Sequence, residues 1–347
     1  MNDEKKEKQR AERELFELTR PFATESPLRS WWTVASTWVL LVGTLVAASW
    51  VSFWPLRTAF SVVGGLLFVR AFILYHDFLH GAILRKSRFM KFGFYLYGLI
   101  VVTPPKSWRH SHNFHHANVG KPIPVAEGKF SLLTSDIGAV PLMTTEMWRQ
   151  ASWSKRFMYR ISRHPLTILA AYLTVFLFSI CLFPLFREPK KYWDGAAALI
   201  AHASVIVLLW IFGGWDVMFF SFVLPFSIAS CCGAYLFFAQ HNFEGMRVVN
   251  AGEWTYVRAS VESSSFMQLN PIMNWFTGNI GYHHIHHVNS HIPFYRLPEA
   301  MKAIPQLQTP HVTTLRLRDV WVCLRLSLWD TELNRLVTYR GAYPKSA

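Results

Sequence analysis

The sequence predicts an all-α polytopic membrane protein: four transmembrane helices in two hairpins, extra interfacial or re-entrant helices, and a cytoplasmic helical cap holding a di-metal site. Three observations lead there. Of 347 residues, 52% are hydrophobic and 16% aromatic, more apolar than a soluble chain requires. Several apolar runs reach the roughly 20 residues that a helix needs to cross a hydrocarbon core of about 30 Å. Ten of the fifteen histidines fall in three tight clusters, each beside such a run.

Residues 1–30 form a Lys/Glu-rich tail carrying Lys5, Lys6, Lys8, Arg10, Arg13, Arg20 and Arg29. Basic residues near span ends mark the cytoplasmic side, so the tail is expected there. Trp31–Trp54 has no charge over 24 residues and reads as the first span. It follows a polar stretch too long for a cleavable signal, so it is expected to stay in the mature protein. Trp54-Pro55-Leu56-Arg57 is the predicted turn, and Thr58–Tyr75 the returning span, with Arg70 snorkelling near its end. Phe92–Val102 is too short to span and is assigned to the interface.

Three more apolar runs follow: Leu166–Phe186, Gly195–Phe212 and Val217–Phe238. Keeping every histidine cluster on one side requires an even number of crossings between them. Basic residues flank Leu166–Phe186 at both ends (Arg160 and Arg163, then Arg187 and Lys190), so this run is read as re-entrant or interfacial. The other two make the second hairpin, turning at Gly213-Gly214-Trp215-Asp216. The domain bounds follow: tail 1–30, membrane domain 31–300, and a cytoplasmic C-terminal segment 301–347 with no assignable motif.

His76 and His80 are spaced i, i+4, whereas His112/His115/His116 and His283/His286/His287 both read H-x-x-H-H. On a helix, positions i, i+3 and i+4 share a face, so each cluster can aim two or three imidazoles at one point. Zinc sites close at four ligands, so eight such nitrogens point to two ions. Imidazole suits zinc, copper, nickel and iron alike. Two ions held by neutral nitrogens suit oxygen chemistry better than hydrolysis, which favours iron. His241, ending the last span, is either a ninth nitrogen or a helix-end histidine held by the C-terminal dipole. His110 and His284 lie off the pattern and are read as supporting or surface groups. His202, alone on an apolar helix, is read as a satisfied core histidine. Asp77 either accepts a proton from a ligating imidazole or lies on a helix surface.

The formal charge of +14 does not imply nucleic acid, because the basic residues flank spans, where they face anionic headgroups, and no nucleic-acid-binding signature accompanies them. Four cysteines without C-x-x-C spacing argue against disulfides and thiolate metal sites. No P-loop or G-x-G-x-x-G is present, so reducing equivalents must come from another protein. A transporter would place ligands near the membrane midplane, whereas these clusters sit at span ends, which disfavours a non-enzymatic metal-binding protein.

The segments H-D-F-L-H (76–80), R-H-S-H-N-F-H-H (109–116), Q-H-N-F-E-G (240–245) and G-N-I-G-Y-H-H-I-H-H (278–287), in this order, resemble the membrane fatty acid desaturases over roughly residues 30–300. Residues 240–245 with Ile292–Leu297 look most like bacterial and cyanobacterial acyl-lipid desaturases. The resemblance implies a non-haem di-iron centre with His76, His80, His112, His115, His116, His241, His283, His286 and His287 as ligands. It implies insertion of a C=C bond into an acyl chain of a membrane lipid with O2 as co-substrate, and it leans to mid-chain, near carbon 12. Phe78-Leu79 departs from the Cys-Gly common in the family, which bears on substrate fit. Hydroxylases of lipid, alkane or carotenoid share the superfamily; their alkane-type Asn-Tyr-x-Glu-His-Tyr-Gly run is absent, which favours desaturation. No haem-binding His-Pro-Gly-Gly occurs, so the implied electron donor is separate: ferredoxin or a cytochrome b5-like protein, with its reductase. The implied location is the bacterial inner membrane, multi-pass, with the histidine boxes facing the cytoplasm.

Overall fold

The computed structural model describes residues 2–121, 142–249 and 252–343. After α1 (Asn2–Thr19), α2 (Pro27–Trp50) and α3 (Trp54–His80) form an antiparallel pair. The turn is Val51–Phe53, not Trp54–Arg57, because Pro55 sits in the first turn of α3, where a missing N–H costs nothing. α3 runs unbroken to His80. Gly81 ends it at φ +74°, a left-handed conformation open to glycine, with its N–H returned to the Asp77 and Phe78 carbonyls. Arg70 does not snorkel. It is only 6% exposed, because its face of α3 packs inward: Nε donates to Thr37 Oγ1 at 3.0 Å, Nη1 donates to the Trp275 carbonyl, and the guanidinium lies 4.1 Å from the Trp275 ring centre.

α4 (Arg88–Ile100) and α5 (Pro105–Asn118) follow. Then come a short strand β1 (Met143–Thr144), α6 (Thr145–Gln150), α7 (Trp153–Ser162) and α8 (Pro165–Leu169). A π-helix at Tyr172–Leu182 runs into α9 (Phe183–Arg187). This apolar helix, Tyr172–Arg187, is shorter than the roughly 20 residues needed to span.

Trp193–His241 is helical over 49 residues, as α10 (Trp193–Met218), a π-turn at Phe219–Val223 and α11 (Leu224–His241), but it is broken inside α10 at Gly214 (φ 76°, ψ 178°), where the chain reverses. The two arms fold back on each other. The His202 ring on α10 lies 5.2 Å from Phe222 and 5.3 Å from Phe226. The reversal falls within the expected Gly213–Asp216 turn. Among the described residues, three helical segments are long and apolar enough to cross a membrane: Pro27–Trp50, Trp54–His80 and Trp193–His241. Arg57, near the tip of the first hairpin, pairs with Asp216 at the tip of the second, N–O 3.3 Å.

The remaining chain covers the end of the bundle where α3 and α11 stop. It comprises α12 (Tyr256–Glu262), β2 (Phe266–Gln268), α13 (Pro271–Phe276), α14 (His283–Val288), α15 (Leu297–Ala303), β3 (Val312–Thr314), α16 (Leu317–Arg325), β4 (Leu328–Asp330) and β5 (Arg335–Val337). The protein is therefore mostly helical but not all-α. β2 and β3 pair in parallel, and β4 pairs parallel to β1 and antiparallel to β5. The β4–β5 hairpin forms because the Asp330 carboxylate accepts the Glu332 and Leu333 N–H groups at 3.0 and 2.9 Å, and Asn334 takes φ +50°. Leu328, Val337, Trp148 and Tyr159 then close a small second core. The segment beyond residue 300, in which the sequence offers no motif, thus contributes β3, α16, β4 and β5, with its last four residues outside the described ones.

Candidate metal centre

Each histidine box is fixed by a specific device. The first ends α3, which packs along α2 and α11. The second lies on α5, whose N-terminus is capped by a residue distant in sequence. The buried Asp194 carboxylate accepts the Lys106 and Ser107 N–H groups at 2.9 and 3.0 Å and the Ser107 hydroxyl, placing negative charge at the positive end of the helix. The third lies on α14. Just before it, Gly281 packs so closely on β2 that a Cβ would meet the Met267 carbonyl at 2.5 Å, and its own carbonyl accepts the Met267 N–H at 2.8 Å. Gln240, next to His241, donates to the Ile280 carbonyl at 2.9 Å and so ties α11 to the approach of α14.

These devices bring together all nine predicted histidines, in two groups. His76, His80, His112, His116 and His286 form one; His115, His241, His283 and His287 form the other. Within each group the candidate ligand atoms lie within 4.8 Å of one another. The boxes do not each converge on one point, as the spacing allows. The i, i+4 partners stay together, while His115 and His286, at i+3, cross to the opposite group, because i+3 and i+4 differ by about 100° around the helix.

Nε2–Nε2 separations in the larger group are 2.9 Å (His76–His112), 3.1 Å (His112–His116) and 3.1 Å (His116–His286). In the smaller group they close a ring: His115–His241 3.1 Å, His241–His283 2.9 Å, His283–His287 3.1 Å and His287–His115 3.2 Å. His241 Nδ1 lies 2.9 Å from the Ser263 carbonyl, which can only accept; the proton is therefore on Nδ1, and Nε2 presents a lone pair to two neighbours. His76 Nδ1 is 3.1 Å from Asp77, whose other oxygen accepts the Phe294 N–H at 2.7 Å, so Asp77 buttresses an imidazole. His80 Nε2 is buried with no hydrogen-bond partner.

Facing lone pairs and an orphaned buried nitrogen are unfavourable by themselves and favourable around a cation. Metal–nitrogen bonds of about 2.0–2.1 Å put adjacent ligands about 3.0 Å apart in an octahedron and about 3.4 Å in a tetrahedron. The observed separations suit the former. Burial, and next the neighbouring imidazoles, push His112, His115, His116, His283, His286 and His287 well below the ordinary histidine value, which keeps them neutral as ligation requires.

The other histidines separate cleanly. His284 is buried but turns away, with Nε2 on the Leu307 carbonyl at 3.1 Å, and is pushed down to about 4 by burial. His110 is exposed. His202 is satisfied by Tyr172 and the Ile100 carbonyl. Sequence reasoning missed Asp194, Gln240 and Ser263 as supports, since no local pattern marks them.

A cavity of about 610 Å³ opens beside both groups, with His76, His112 and His283 in its wall and Phe68, Phe72, Phe176, Phe226, Leu236 and Ile280 along its length. It falls within the size range of small-molecule sites. Its lining is predominantly apolar.

A family model described as "Fatty acid desaturase" matches residues 48–318. The chain is 28% identical over 291 residues to "Fatty acid desaturase" of Bacillus subtilis, covering 82% of this chain and 78% of the relative. It is 24% identical over 285 residues to "sn-1 acyl-lipid omega-3 desaturase (ferredoxin)" of Synechocystis, covering 76% and 72%. It is 23% identical over 231 residues to "Oleoyl-12-hydroxylase FAH12" of Ricinus communis, covering 60% and 55%. The match runs through all three histidine boxes and the helices that carry them, and the chain belongs to the fatty acid desaturase family.

Proposed function

We propose that the protein is a membrane acyl-lipid desaturase that inserts a C=C bond near the middle of an acyl chain, around carbon 12. The observation that carries this reading is the juxtaposition of two all-imidazole groups with a long apolar cavity. The nine histidines of the two groups would be the ligands, five holding one iron ion and four the other. Bound there, the two irons supply the oxygen-activating redox chemistry. The overall reaction is –CH2–CH2– + O2 + 2 e⁻ + 2 H⁺ → –CH=CH– + 2 H2O.

The chain's own residues bind, orient and shield. Phe68, Phe72, Phe226 and Leu236 hold the acyl chain, each buried methylene contributing about 0.8 kcal/mol. His76, His112 and His283 mark where the reacting methylenes lie against the centre. Asp77 and the Ser263 carbonyl keep His76 and His241 in the ligating tautomer. The apolar walls exclude water.

α2, α3, α10 and α11 are the four spans, Tyr172–Arg187 is re-entrant, and the tail 1–30 and the segment 301–347 flank the membrane domain on the cytoplasmic side of a bacterial inner membrane. Basic Lys/Arg near the ends carrying the histidines support this orientation. The electrons come from a separate donor, a ferredoxin or a cytochrome b5-like protein; the name of the Synechocystis relative speaks for the first.

The test is gas chromatography with mass spectrometry of derivatised fatty acids from a bacterial host expressing the chain with a ferredoxin. A new unsaturated acid, missing with His286→Ala, supports the proposal and locates the bond. A hydroxy acid instead would favour the second reading, a hydroxylase, for which the likeness to the Ricinus protein speaks.

A further inference from the structure

The helix that contributes three imidazoles to the centre turns an entirely different face outward. Lys106, Arg109, His110, Asn113, Phe114 and Ala117 are exposed on α5, within one side of the helix, while His112, His115 and His116 are buried on the other. The exposed face therefore lies only one helix diameter, about 10 Å, from the metal groups. Nearby, the turn after His80 exposes Arg85, Lys86 and Arg88, and the Arg85 side chain approaches Gly81 at the end of α3. Residues 81–121 contain seven Lys/Arg and no Asp or Glu. A run of that sign, with the exposed Phe114 ring on the outer face of a helix whose inner face carries three of the imidazoles, matches an acidic protein surface.

We infer that the outer face of α5, with the α3–α4 turn, is the docking site for an acidic one-electron carrier protein that reduces the centre. The inference rests on the desaturase reading. Each double bond consumes two electrons, so a one-electron carrier must dock, deliver and leave twice per turnover. Such a carrier is served by fast, charge-steered encounter on a small patch, rather than by a permanent interface.

The experiment uses the full-length protein in nanodiscs with a plant-type [2Fe–2S] ferredoxin and its reductase as donor, and dithionite as the chemical alternative. The readouts are the KM for ferredoxin, kcat, and the ratio of ferredoxin-driven to dithionite-driven turnover, for the parent and for Lys106→Glu/Arg109→Glu. The expected result is a ferredoxin KM raised at least about tenfold and the ratio lowered to match. Raising ionic strength from about 20 to 300 mM should slow ferredoxin-driven turnover steeply in the parent and weakly in the variant. If the double reversal does not accumulate, Arg109→Gln provides the same test with a smaller rise in KM. An unchanged ratio overturns the inference, as does a variant whose only defect is a new dependence on phosphatidylglycerol content, which would assign the face to lipid headgroups. A parent that turns over with neither reductant sinks the desaturase reading, and this inference with it.

Discussion

Replacing Asp194 by alanine tests how the second histidine box is held. The carboxylate accepts two backbone N–H groups and one hydroxyl at the start of α5, though it belongs to α10. Removing it deletes the cap and orphans the buried Ser107 N–H, worth about 1–3 kcal/mol. It also removes a favourable charge at the helix dipole, worth about 0.3–2 kcal/mol. Together these come to roughly 2–4 kcal/mol, and about 2 kcal/mol already shifts the equilibrium between docked and undocked α5 by about 30-fold. Asp194→Asn is the informative partner. Its oxygen can still accept both N–H groups, and its amide can donate to the Ser107 hydroxyl, so only the charge is lost, at about 1 kcal/mol. Iron per chain by elemental analysis and unfolding temperature in detergent should both fall sharply for Asp194→Ala and little for Asp194→Asn. An alanine variant with the parent's iron content and stability would refute the reasoning.

His286→Ala should abolish the fatty-acid product while leaving the chain in the membrane fraction, whereas His202→Ala should retain product; a fully active His286→Ala removes that residue from the ligand set. Gly281→Ala drives a methyl into the Met267 carbonyl, and an overpacked site of this kind costs about 1–3 kcal/mol; bound iron should fall, and an unchanged metal content would show that α14 can shift without loss. For the metal-free protein, the six buried histidines on α5 and α14 have folded values below the unfolded value of about 6.5. Their neutral forms are favoured by folding, so the associated stability is complete above about pH 6.5 and is lost as pH falls. Unfolding temperature should be flat from pH 8 to 7 and drop below 6.5, and a profile level down to pH 5 would contradict this.

Much of the architecture was legible because it rests on period and length. Long apolar runs marked α2, α3, α10 and α11, and the Gly213-Gly214 pair marked the reversal in the second hairpin. The histidine spacing exposed the site, since i, i+4 pairs on a helix can hardly do otherwise than face one point. What stayed hidden was non-local. His241 could not be told from a helix-end histidine until Ser263 and His283 were placed beside it. Asp194 caps a helix through Ser107, 87 residues away, and nothing in its neighbourhood announces that. The β4–β5 hairpin escaped notice because each strand is three residues long, too short for alternation to register. Arg70 was misjudged because its partners, Thr37 and Trp275, come from elsewhere in the chain.

The crossing of His115 and His286 has a consequence for assembly. Consecutive residues on α5, His115 and His116, belong to different groups, as do His286 and His287 on α14. Filling either group fixes the rotation of both short helices and thereby prepays the ordering cost of the other. The second ion should therefore bind more tightly than the first, so that iron titration is sigmoidal and half-loaded chains are scarce. Because each group joins α5 and α14 to the end of a long helix, α3 for the larger group and α11 for the smaller, neither can form before those distant helices have met, and filling both certifies that the two hairpins share one pair of short helices.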